Sequence, residues 1–83
     1  MTISEQIKHC ILEAIPGATV EVGGASGHFE IYVCSTEFEG KRILGRQRLV
    51  YSAIKHLMAG DDAPVHAVDQ MVCETPAQSA DGA

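Results

Sequence analysis

Apolar residues recur every three or four positions at the start of the chain. Ile3, Ile7, Cys10, Ile11, Ala14 and Ile15 fall on one face of a 3.6-residue period. This spacing predicts an amphipathic helix over 3–15. Thr2 and Glu5 fit a capping box, the hydroxyl taking a free amide of the first turn and the carboxylate reaching back. Pro16-Gly17 stops the helix. The period then falls to two. Val20 and Val22 predict a short strand over 18–22. Phe29, Ile31 and Val33, alternating with Glu30, Tyr32 and Cys34, predict a second over 28–35. Gly23-Gly24-Ala25-Ser26-Gly27 between them supplies turn chemistry, so the pair is expected to be a hairpin with a loop of about five residues.

A connector over 36–40 follows, with Phe38 as a buried anchor. The helical period then returns over 43–59. Ile43, Leu44, Val50, Ile54, Leu57 and Met58 mark its apolar side, and Gln47 shares that stripe. Gly45 costs about 1 kcal/mol against Ala in a helix, which leaves room for a short helix or turn before the long one. Gly60-Asp61-Asp62-Ala63-Pro64 ends the helix, and 65–74 reads as a third strand. Thr75-Pro76 closes a single domain over 1–76, and the small, polar stretch 77–83 is expected to be a frayed tail. The order α-β-β-α-β defines an α+β domain. Its strand–helix–strand crossover should be right-handed, giving a mixed three-stranded sheet with helices on one face.

Composition narrows the function. With 83 residues there is one core and no second domain. Aromatics are 5% and Trp is absent, so aliphatic side chains must fill that core. So short a chain is poorly suited to enclosing a dry substrate cavity of several hundred Å³. No Ser-His-Asp set, phosphate-binding glycine loop or paired-carboxylate motif stands out. A binding or delivery module is expected, not an enzyme.

The net charge of −5 hides an asymmetry. Lys41, Arg42, Arg46, Arg48 and Lys55 lie in a stretch, 41–60, that contains no acid. This basic stretch is either a phosphate-contacting surface for DNA, a docking face for an acidic partner, or a plain solvated helix face. Three cysteines at wide spacing, with no C-x-x-C, make no disulfide framework and point to a reducing compartment, the cytoplasm. No apolar run approaches the roughly 20 residues that span a bilayer, and the first residues do not form a signal peptide. Cys10 and Cys73 read as structural, and His9 and His56 as solvent-facing. Gly24-Ala25-Ser26-Gly27 spells G-x-x-G, but that phosphate clamp belongs between helices; in a hairpin without cations it reads as coincidence.

One ordered set of residues carries a family likeness. Gly27-His28-Phe29-Glu30-Ile31-Tyr32-Val33, Ser35, Phe38-Glu39-Gly40, Arg46-Gln47-Arg48-Leu49-Val50-Tyr51, Val65-His66-Ala67 and Thr75-Pro76 together resemble the BolA-like family. The resemblance implies a fold similar to the class II KH domain. It also implies iron–sulfur cluster handling with CGFS-type monothiol glutaredoxins and, in some members, transcriptional control. By resemblance His66 is a cluster ligand. A second ligand, His or Cys, comes from the loop joining the first two strands, where the available candidate is His28. Cys34 is the alternative, since thiolate suits iron better than imidazole; its plain reading is a small residue at the sheet edge. His66 has a plain reading too, a strand histidine bonded to a backbone carbonyl. A [2Fe–2S] cluster needs four ligands, so it is expected to be shared with the glutaredoxin and its glutathione. The isolated chain would then be a monomer without a cofactor.

Overall fold

The computed structural model describes residues 1–81. Its elements are α1 (Ile3–Ala14), β1 (Thr19–Ala25), β2 (His28–Cys34), a 3-10 turn (Thr36–Phe38), α2 (Ile43–Met58), β3 (Ala67–Glu74) and α3 (Pro76–Asp81). The sheet order is β1-β2-β3, with β1 antiparallel and β3 parallel to the central β2. This is the mixed three-stranded α+β architecture that the periodicity predicts, and it is compatible with a KH-like arrangement. The expected capping box is present: Glu5 N donates to Thr2 Oγ1 at 3.1 Å and Thr2 N donates to Glu5 Oε1 at 3.4 Å.

Strand alternation builds the core. Val20, Phe29, Ile31, Val33 and Cys73 turn inward and are buried against Ile7, Ile11 and Ile15 and against Val50, Ile54 and Leu57 of α2. Phe38 is fully buried, as its anchor role requires. Removing such a ring costs about 3–5 kcal/mol.

Three local expectations are corrected. The hairpin loop is two residues, not five: β1 runs on through Gly23 and Gly24, and Ala25 pairs with His28. Ser26 (φ 57°) and Gly27 (φ 81°) are both left-handed, the requirement of a type I′ turn, whose twist matches the strands it joins. The apolar side of α2 is also rotated. Ile43 and Leu44 are 56% and 57% exposed, and the buried row is Arg46, Val50, Ile54 and Leu57.

The third correction concerns the end of the chain. Residues 76–81 are not frayed but form α3. Gln78 N donates to Thr75 Oγ1 at 3.3 Å, and Thr75 N donates to Gln78 Oε1 at 3.0 Å, a second capping box. Pro76 sits at the first helical position, where its missing N–H is harmless. Residues 82 and 83 of the expected tail lie outside the described residues.

Candidate metal-ligand site at the hairpin end of the sheet

His28 opens β2 directly after the two-residue turn, and His66 immediately precedes β3. The parallel register places His28 opposite Ala67, so both histidines reach the same end of the sheet. Gly27 joins them. Its carbonyl oxygen accepts from His66 N at 2.8 Å and from Ala67 N at 3.0 Å. Its missing side chain matters as much. A Cβ at Gly27 would lie 2.7 Å from His66 Cγ and 2.9 Å from Nδ1. The His66 ring therefore rests on the turn along its Cγ–Nδ1 edge. The two imidazoles stand edge to face, centroids 6.5 Å apart at 72°, and both residues are exposed. His28 Nδ1 lies 3.2 Å from Asp69 Oδ1.

The donor set suits iron, but only in part. A neutral imidazole ligates through one nitrogen while the other is held by an acceptor, and His28 already has that acceptor. Among the described residues there is no cluster of three or more His, Cys, Asp or Glu that could hold a metal ion. Two imidazoles are half of a [2Fe–2S] ligand set.

Cys34 does not join them. It ends β2 opposite Thr19 and Glu74. Six strand steps at about 3.3 Å put it roughly 20 Å from His28. Cys34 is half-buried on the outward side of β2, at the end of the strand away from the histidines. Burial pushes the Cys73 thiol above its ordinary value of 9.0, and nearby Arg46 offsets this only in part. Cys10 is half-buried, its Sγ 3.5 Å from His56 Nε2 on the outer side of the helix pair.

The basic stretch divides in two. Lys41, Arg42, Arg48 and Lys55 are exposed. Arg46, expected among them, is 6% exposed and points inward. Its Nε donates to Lys41 O at 2.9 Å, and its Nη1 donates to Cys73 O at 3.2 Å and to Gln78 Oε1 at 2.8 Å. Its guanidinium carbon lies 5.9 Å from the centre of the Phe38 ring. Position 46 leads the i, i+4 row that faces the core. The buried carbonyls there need a donor, so the arginine serves as a structural tie between α2, β3 and α3.

Sequence reasoning missed Gly27 as the seat of His66, and Asp69. Gly27 had a local signal, a Ser-Gly pair between alternating strands. Asp69 had none, because its contact depends on the sheet register.

Tyr32 stands outward on the face of the sheet left open by α1 and α2. Its hydroxyl lies 3.0 Å from Ser79 Oγ of α3 and donates to Glu74 Oε2 at 3.2 Å. The Ser79 bond favours the phenolate, but desolvation and the Glu74 carboxylate outweigh it and hold the phenol above its usual value.

Comparisons with known proteins agree with this fold. The profile of the BolA-like protein family matches residues 6–78. Protein BOLA2 of Arabidopsis thaliana is 33% identical over 82 residues, covering 94% of this chain and 84% of its own length. An uncharacterized protein of the rpoN-murA intergenic region of Acinetobacter guillouiae is 38% identical over 65 residues, covering 78% of this chain and 76% of its own. The solved structure of a bolA protein homologue from Coxiella burnetii superposes with a TM-score of 0.78 at 32% identity, over 96% of this chain and 99% of that one. The chain belongs to the BolA-like family.

Proposed function

We propose that this protein is an iron–sulfur assembly or trafficking adaptor that shares a bridging [2Fe–2S] cluster with a CGFS-type monothiol glutaredoxin. His66 and His28 supply the ligands from this chain. The observation that carries the reading is the pairing of two exposed imidazoles at one end of the sheet, 6.5 Å apart between ring centres. The cluster is cargo held between two polypeptides, and the glutaredoxin cysteine and its glutathione thiol complete the ligand set. The adaptor works in the cytoplasm, catalyses no reaction of its own and is a monomer until it meets its partner. Imidazole donates less charge than thiolate, so exchanging one for the other raises the reduction potential, which suits transfer or sensing. Mixing with the cluster-loaded glutaredoxin should change its visible circular dichroism, and His66→Ala should abolish the change. A mixture of unchanged spectrum, the same for wild type and His66→Ala, would refute the proposal.

A second reading, a DNA-binding regulator, has one observation in its favour. The start of α2 lacks a side-chain cap and an acid in its first turn, and is flanked by exposed Lys41 and Arg42. Helix N-termini of this kind attract phosphate. With Arg46 withdrawn, Lys41, Arg42, Arg48 and Lys55 remain. Four phosphate contacts would give a log–log salt slope no steeper than about −3.6 for duplex DNA. No binding at low salt would remove this reading.

A further inference from the structure

The sheet has one irregularity, and it lies beside the paired histidines. The parallel register runs His28↔Ala67, Phe29↔Val68 and then Glu30↔Gln70. Asp69 is therefore an extra residue of β3 with no partner in β2. A bulge bends the strand and re-aims a side chain. Here the re-aimed group is a carboxylate, and it meets an imidazole: Asp69 Oδ1 is 3.2 Å from His28 Nδ1. In a regular ladder, position 69 would instead have faced Glu30, two residues further along β2.

The contact has a definite sense. An ionised carboxylate only accepts, so Nδ1 carries the hydrogen and donates it. A neutral imidazole has a single N–H, so the lone pair is left on Nε2. In water an unconstrained histidine favours the opposite tautomer, with the hydrogen on Nε2. Ligating histidines commonly owe both tautomer and ring direction to such a carboxylate.

We infer that Asp69 is a positioning residue: delivered by the bulge in β3, it fixes the Nδ1–H tautomer of His28 so that Nε2 is the atom offered to iron. The inference rests on the proposed ligand role of His28. It gives the two histidines separate supports, Gly27 beneath the His66 ring and Asp69 behind the His28 ring. Asp69 itself is a carboxylate already engaged with Nδ1, not a third ligand.

The test begins without a cluster. Long-range ¹H–¹⁵N correlation of the imidazole nitrogens, on histidine-labelled protein at pH 8.5, reads the tautomer of each ring. Wild type should show His28 protonated at Nδ1. Asp69→Ala should move it toward Nε2–H and leave His66 unchanged. Asp69→Asn, whose amide oxygen still accepts, should keep the wild-type pattern. Asp69 is exposed, so these variants should fold. In the complex with the cluster-loaded glutaredoxin, Asp69→Ala should hold the cluster about tenfold less well or worse, and Asp69→Asn should stay close to wild type. An unchanged His28 pattern in Asp69→Ala would overturn the inference. So would a wild-type-like Asp69→Ala complex beside an altered His28→Ala complex, with the ligand role left standing. A wild-type-like His28→Ala complex would overturn the ligand role and the inference with it.

Discussion

Gly27→Ala puts a single methyl group under the His66 ring. Two costs follow from the structure. The first is local, because φ at Gly27 is +81°, where an L-residue pays about 1–2 kcal/mol. The second is steric. The new carbon would sit 2.7 Å from His66 Cγ, well inside van der Waals contact. The backbone of His66 cannot simply retreat, because its amide and that of Ala67 both bond to the Gly27 carbonyl. The side chain must swing away, parting the two imidazoles. Gly17→Ala is the matched control. Its φ is +83°, but its Cβ would meet nothing within 4 Å, so it carries the backbone penalty alone. Gly17→Ala should lose about 1–2 kcal/mol in urea unfolding, and Gly27→Ala at least as much. A domain of this size has about 4–12 kcal/mol in total, so both should still fold. Only Gly27→Ala should also alter the visible circular dichroism of the complex with a cluster-loaded glutaredoxin, in the manner of His66→Ala. A normal spectrum for Gly27→Ala, or the same spectral change in Gly17→Ala, would show that the seat on Gly27 does not set the His66 ring.

The other variants probe the remaining assignments. Arg46→Met removes three hydrogen bonds and leaves the Lys41 and Cys73 carbonyls without their donor. It should destabilise by about 3 kcal/mol, and a shift below about 0.5 kcal/mol in urea unfolding would contradict the structural role. Cys34→Ser should leave the cluster spectrum of the complex unchanged, since Cys34 lies at the far end of β2; loss of the cluster would contradict the site. Burial holds the folded Cys73 thiol above its ordinary value of 9.0, so the unfolded thiol ionises first. The stability it contributes is complete below about pH 9 and is lost as pH climbs from there through the raised folded value. Cys73→Val should remove that part of the alkaline decline, and an unaltered pH profile would contradict the assignment.

The elements were legible wherever a local rule governed them. The capping box at Thr2 and Glu5 fixed the start of α1, and alternation from Phe29 to Val33 fixed β2 and its inward face. Phe38 stood out as a lone aromatic in a polar connector. The same capping rule could have found α3, because Thr75-Pro76-Ala77-Gln78 repeats the pattern of the first helix. Small polar residues after Pro76 masked it. The five-residue glycine loop failed because glycine serves strand and turn alike. Ser26 and Gly27 take positive φ as the turn pair, while Gly23 and Gly24 lie within β1, Gly24 itself at φ 111°.

Charge alone misassigns Arg46, whose helical phase decides its place: it sits four residues before Val50 and eight before Ile54, on the buried row. His66 and His28 were legible through the family resemblance, not through spacing, since they are 38 residues apart. Their supports depend on tertiary structure. The seat on Gly27 requires the hairpin to meet the start of β3, and the Asp69 contact requires a bulge. Neither leaves a periodic trace along the chain.

On the proposed function, this chain gives imidazole nitrogen to a cluster that it shares with another protein. Pulsed electron paramagnetic resonance of the reduced complex tests it most directly, with ¹⁵N placed only in the histidines of this chain. Hyperfine coupling from directly bonded ¹⁵N imidazole is expected, diminished in His66→Ala and again in His28→Ala. A cluster bound in the complex with no ¹⁵N coupling from this chain would contradict it.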